Sequence, residues 1–112
     1  MEIEVTEIAE EDLERLPNPV RDTFYSKVES TEKNLEIGAT PRQAFDKYMS
    51  GSMNPVLQMN LGRDFRAWFL EGKYLKDRED GKIHCMMVLT KKESEELTQK
   101  INDPVSFLQS GL

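Results

Sequence analysis

Three runs of alternating residues in the second half of the chain limit its fold more than any other feature. Across residues 56–61, Leu57, Met59 and Leu61 share one face of an extended segment, and Val56, Gln58 and Asn60 share the other. After Gly62-Arg63-Asp64, which reads as a turn, Phe65, Ala67 and Phe69 alternate with Arg66, Trp68 and Leu70. A charged stretch, residues 71–82 with Asp80-Gly81 as its turn signal, leads to a third run whose Ile83, Cys85, Met87 and Leu89 are expected to face the core. A period of two does not sit on a helix, so these runs are strands. Their short connections predict an antiparallel meander.

The first half reads differently. Residues 2–8 place Ile3, Val5 and Ile8 among polar neighbours, as a half-buried strand does. Residues 9–16 hold good helix formers with Leu13 and Leu16 three apart, and Pro17 stops them. Asn18-Pro19 is a start signal, with Asn18 capping and Pro19 at the first helical position, and Val20, Phe24, Val28 and Leu35 form the stripe of a helix over residues 19–37 that ends at Gly38. Residues 39–55 read as a connector with a helical turn or two within residues 42–49. Helical propensity returns over residues 91–101 until Asp103-Pro104 interrupts it. The expected architecture is a single α+β domain over residues 1–104, with two N-terminal helices packed on an antiparallel sheet of three to four strands, then a C-terminal helix and a tail over residues 105–112. The second sheet face, carrying Gln58, Asn60, Arg66, Trp68, His84 and Met86, is open unless a partner or the last helix covers it.

At 112 residues the chain supports one core without help from metal or disulfide. Cys85 is the only cysteine and His84 the only histidine, so neither an internal bridge nor a zinc set is available, and a cytoplasmic location is expected. The acidic start, Glu2, Glu4 and Glu7, is unlike a signal peptide, and no apolar run has the length of a membrane span. There is no glycine-rich phosphate loop, serine or cysteine triad, or calcium loop. Met49, Met53, Met59, Met86 and Met87 read as gap-filling core and interface residues.

A net charge of −6 opposes nucleic acid, but the charge is unevenly spread. Residues 1–36 hold 11 acids and 4 bases, whereas residues 42–92 hold 10 bases and 6 acids. Lys91 and Lys92 stand at a helix start, where the dipole disfavours cations, so their placement points to a role elsewhere.

Several phrases in this order and spacing resemble the RelE/ParE superfamily of toxins from type II toxin–antitoxin pairs, its HigB-like branch included. They are Leu13-Glu14-Arg15-Leu16-Pro17 with Val20-Arg21, Leu57-Gln58-Met59-Asn60-Leu61 followed by Phe65-Arg66-Ala67-Trp68-Phe69, and Val88-Leu89-Thr90-Lys91-Lys92. The resemblance implies a small α+β domain that enters the ribosomal decoding site, cuts messenger RNA without metal or cofactor, and pairs with an antitoxin protein. In that chemistry the ribose 2′-hydroxyl attacks the adjacent phosphate, so the protein must orient RNA, balance phosphorane charge and move protons.

Carried onto this sequence, Arg66 matches the family's strand arginine, and Lys92, or Lys91 one place earlier, its basic residue after the last strand. Both lysines are therefore catalytic candidates beside Arg66. Gln58 and Asn60 fall where members place lysine or another acid–base group; amides can hold RNA but carry no proton. Arg63, Trp68 and His84 complete the candidate RNA contacts, with Trp68 as a stacking surface or an antitoxin anchor and His84 as a proton carrier if it reaches the phosphate. Lys73, Lys76, Arg78 and Lys82 around the hairpin could touch ribosomal RNA. The structural alternatives are an Arg66–Asp64 ion pair, a core Trp68 and a satisfied strand His84. Leu97-Thr98 stands where the family often has a tyrosine, which leaves rate to Arg66 and the lysines. The rival reading is a catalytically inactive RelE-like protein-binding module, and a third is an acidic surface adapted to a salty cytoplasm.

Overall fold

The computed structural model describes residues 1–76 and 81–110. Asp80 of the expected hairpin turn, Arg78, and the last two residues of the tail lie outside the described residues. In chain order the elements are β1 (Ile3–Val5), α1 (Glu7–Glu14), α2 (Asn18–Glu36), α3 (Pro41–Ala44), β2 (Lys47–Tyr48), β3 (Leu57–Leu61), β4 (Phe65–Glu71), β5 (Ile83–Thr90), α4 (Lys91–Lys100) and α5 (Pro104–Gln109). Single 3₁₀ turns occupy Gly51–Met53 and Gly72–Tyr74.

The α+β class is as expected, but the sheet is larger and mixed. Among the described residues it has five strands in the order β1-β5-β4-β3-β2. β2, β3, β4 and β5 pair antiparallel, while β1 runs parallel to β5 with Ile3 opposite Ile83 and Val5 opposite Cys85. A parallel neighbour requires a crossover connection, and β1 reaches β5 only after the whole intervening chain. β2 is two residues long, too short to show any period, and it replaces the helical continuation expected after residue 44.

Local chemistry fixes the helix ends. Thr6 Oγ1 accepts from the Ala9 N–H and starts α1. At α2 the cap position is Pro17 with no side-chain bond, so Asn18 lies within the first turn and is not the cap the sequence predicts. Thr90 and Glu93 form a reciprocal capping box: Thr90 Oγ1 accepts from Glu93 N–H at 3.0 Å and Glu93 Oε1 accepts from Thr90 N–H at 2.9 Å. This acid and cap explain how α4 starts in spite of Lys91 and Lys92.

Two apolar clusters sandwich the sheet. The first joins Ala9 and Leu13 of α1 and Phe24, Val28 and Leu35 of α2 to Leu57, Met59, Leu61, Ala67, Phe69, Ile83 and Cys85. This is the face the alternation predicts for β3 and β4, with the two early helices over it. The second joins Met49, Met53, Val56, Trp68, Leu70, Leu75, Met86 and Leu89 to Ile101 and Leu108. Within the stretch read as a tail, α5 contributes Leu108 to this core.

The expected facing of β5 holds only at its start. Trp68 pairs with Met87 but the next residue, Phe69, pairs with Cys85, so Met86 is an extra residue on β5. That irregularity inverts the alternation. Ile83, Cys85 and Val88 join the first cluster, while Met86 and Leu89 join the second with Met87 packed against it, correcting the expectation that Met87 and Leu89 follow Ile83. The α1 carboxylate of Asp12 accepts from the Val88 N–H at 3.0 Å beside the irregularity. Burial pushes the Asp12 carboxyl up in spite of that bond and the nearby Arg15.

Candidate functional site

The second sheet face is divided. At one end α4, α5 and the Gly51–Met53 turn bury Trp68, Leu70 and Met86. Towards β2 and the β3–β4 turn, polar side chains remain accessible and form one wall of a groove whose other wall is α4. The groove encloses about 370 Å³ and is lined by Lys47, Gln58, Arg66, Lys91, Ser94 and Glu95, among others. Register explains the convergence: Lys47 of β2 lies opposite Gln58 of β3, and Asn60 opposite Arg66 of β4, so all four project on one face. Lys91 joins them because its backbone N–H donates to the Asp64 carbonyl at 2.7 Å, tying the start of α4 to the β3–β4 turn.

Arg66 does not pair with Asp64. Its Nη1 lies 2.7 Å from the Phe65 carbonyl, 3.1 Å from that of Gly62 and 3.4 Å from that of Arg63. Carbonyls orient the guanidinium without cancelling its charge, which leaves a positive fork beside the groove. The Lys91 ammonium has, among the described residues, only an exposed contact with Glu95 at 3.9 Å. Such a pair is weak enough for an anion to compete with it.

A chain of hydrogen bonds orders the groove floor. Trp68 Nε1 donates to Gln58 Oε1 at 3.0 Å, and Gln58 Nε2 donates to Asn60 Oδ1 at 3.2 Å. The indole donor leaves Gln58 only one way to point, so the amides are set as fixed polar contacts. On the adjoining surface Asp46 accepts from Lys27 Nζ at 2.8 Å and from the Asn60 N–H at 2.7 Å. Burial would raise the Asp46 carboxyl, but the Lys27 bond, the Asn60 N–H and the positive field of Lys27 and Arg66 together hold it below the usual carboxylate range.

The sequence candidates thus separate. Arg66, Lys91, Gln58 and Asn60 come together at one site. Arg63 is exposed in the turn that holds the Arg66 fork, and Lys92 is exposed on α4 outside the groove lining. Trp68 is fully buried, so it offers no face to a base or a partner and reaches the site only through Gln58. His84 is also buried; it lies opposite Leu70, four residues along β4 from Arg66, a distance of roughly 13 Å, and beside Glu4 of β1. Lys47, Ser94 and Glu95 line the groove although the sequence reading names none of them as site residues, and Thr98 lines it at the place where the resemblance leads to a tyrosine. Helical spacing from Lys91 to residues 94, 95 and 98 was the available signal for three of them.

Other chemistry finds little support. Burial pushes the Cys85 thiol far up, so it is no nucleophile at neutral pH. Among the described residues there is no group of three or more metal-ligating His, Cys, Asp or Glu side chains, and no helix long and apolar enough to cross a membrane. No protein-family model matches the sequence, and neither a curated protein nor a solved structure matches it.

Proposed function

We propose that the protein binds single-stranded RNA in the groove between β3, β4 and α4 and cleaves it there as a ribosome-associated, metal-independent messenger RNA endoribonuclease, the toxin of a toxin–antitoxin pair. The observation that carries this reading is the convergence of Lys47, Arg66 and Lys91, from three separate chain segments, on one groove where carbonyls hold the Arg66 guanidinium and, among the described residues, no carboxylate forms an ion pair with it. The ribosome and the antitoxin come from the RelE/HigB resemblance alone, as does the expectation that Lys92 takes part.

In this reading the Arg66 fork and the lysines hold the scissile phosphate and balance the charge of the phosphorane, while Gln58 and Asn60 position the ribose and its neighbours. The O2′–P bond forms as the P–O5′ bond breaks, giving a 2′,3′-cyclic phosphate and a 5′-hydroxyl. Glu95, the carboxylate in the groove lining, takes the 2′-proton, and the Lys91 ammonium supplies one to O5′. General acid–base help of this kind is worth about two to four powers of ten. An RNA substrate follows from the chemistry, since DNA lacks the attacking hydroxyl.

One observation favours the rival protein-binding module: the amides at Gln58 and Asn60 carry no proton, and the buried His84 lies away from them. Induced expression of the unaltered protein and of Arg66→Ala, scored for growth and for cuts in translated messages, separates the two. The toxin reading requires growth arrest and cuts that Arg66→Ala abolishes. Absence of cuts from the unaltered protein, or equal cutting by the variant, refutes it.

A further inference from the structure

Lys47 also borders a second depression, lined by Arg42, Asp46, Tyr48 and Asn54 among others, which shares Lys47 and Met49 with the first. Tyr48 lies opposite Leu57 and Lys47 opposite Gln58, so this depression lies round the edge of the sheet, and an RNA strand on Lys47 would turn over β2 to reach it. β2 is the edge strand, and nothing among the described residues pairs with its outer side. At that edge the Arg42 guanidinium lies over the Tyr48 ring, 4.4 Å from its centroid. The Tyr48 ring is half-buried and packs on the first core cluster, while Arg42 is exposed. The guanidinium is thus a flat cation, backed by an aromatic ring that is itself backed by the core. Its base is rigid: α3 is closed by a capping box in which Thr40 Oγ1 accepts from Gln43 N–H at 3.3 Å and Gln43 Oε1 accepts from Thr40 N–H at 2.9 Å.

We infer that Arg42, seated on Tyr48, is a nucleobase-stacking subsite for single-stranded RNA whose neighbouring phosphates lie on Lys47 and Arg66. This rests on the RNA-binding reading above. Guanidinium planes and aromatic rings are the surfaces on which unpaired bases stack, and stacking tolerates any base. Spacing fits a strand of several nucleotides. Lys47 is two strands across and two residues along from Arg66, a backbone separation of about 12 Å, so the two cations meet different phosphates. Asp46 also lines the depression, but Lys27 pairs with it at 2.8 Å and offsets its repulsion of the backbone.

The test is fluorescence anisotropy with a short single-stranded oligoribonucleotide at fixed salt, using the full chain and the variants Arg42→Ala, Arg42→Lys and Arg66→Ala, each checked by thermal melting. Arg42→Ala weakens binding roughly 5- to 150-fold, the factor that loss of one stacked base produces. Arg42→Lys recovers little of this, because it restores charge but not a plane. In a series of oligonucleotides with one base removed at each position in turn, one removal weakens the unaltered protein but leaves Arg42→Ala no weaker than before. Arg42→Ala binding within twofold of the unaltered protein, full recovery by Arg42→Lys, or strictly additive losses overturn the subsite. If Arg66→Ala weakens RNA and Arg42→Ala does not, the subsite alone fails. If the unaltered protein binds no RNA, the RNA-binding reading fails with it.

Discussion

Replacing Trp68 by alanine unfolds the second core before it disturbs the groove. Trp68 is the only tryptophan, has no exposed surface, and packs with Leu70, Met86 and Leu89 against Ile101 and Leu108. Truncating a buried tryptophan costs about 3–5 kcal/mol in lost transfer energy and residual cavity. The bond from Nε1 to Gln58 adds little, since the half-buried amide can take water in its place. A chain of this length has about 6–17 kcal/mol of total stability, so the substitution removes a large share of it. With a urea slope of about 1–3 kcal/mol/M, the unfolding midpoint falls by roughly 2 M. Far-ultraviolet circular dichroism follows the transition after the fluorophore is gone, and RNA affinity per folded molecule changes by less than about tenfold. A midpoint shift below about 0.5 M with a large loss of affinity refutes this placement of Trp68 and returns it to an exposed stacking role.

Two further outcomes follow from named contacts. Asp46 has a folded carboxyl value below its unfolded one, so its contribution is fully present above the unfolded value of 3.8 and is lost as pH falls through the lower folded value. Asp46→Asn therefore loses stability at neutral pH and shows a flatter decline than the unaltered protein as pH falls below about 4, measured as denaturant midpoints across that range. A parallel decline in both proteins contradicts the pairing with Lys27. Thr90→Ala removes one half of the capping box and lowers stability by about 1 kcal/mol. An unchanged midpoint in urea shows that α4 is held without its cap.

What the sequence displayed and what it hid have physical causes. The facing of β3 and β4 was readable because an unbroken period of two has one solution once one face is buried. β5 defeated the same reasoning, since one extra residue at Met86 inverts everything after it and no residue type announces it. β1 was visible as a strand, but its partner was not, because parallel pairing with β5 is a long-range choice that local pattern does not encode. The site was readable as far as cross-strand register reached, which brought Arg66 to Asn60 and Gln58. Lys47 stayed hidden because β2 is two residues long. Trp68 and His84 were placed on the correct face with both an open and a core environment left possible, and both are buried, since nothing in an isolated strand states how far α4 and α5 extend over it.

The central claim is that Lys47, Arg66 and Lys91 hold RNA phosphates together. Salt dependence of RNA affinity tests it most directly, because each phosphate neutralised on a single strand contributes about −0.7 to the slope of log affinity against log salt. The three groove cations predict a slope near −2, and each of Lys47→Ala, Arg66→Ala and Lys91→Ala flattens it by about 0.7. A slope left unchanged by all three substitutions, in variants that remain folded, contradicts the account.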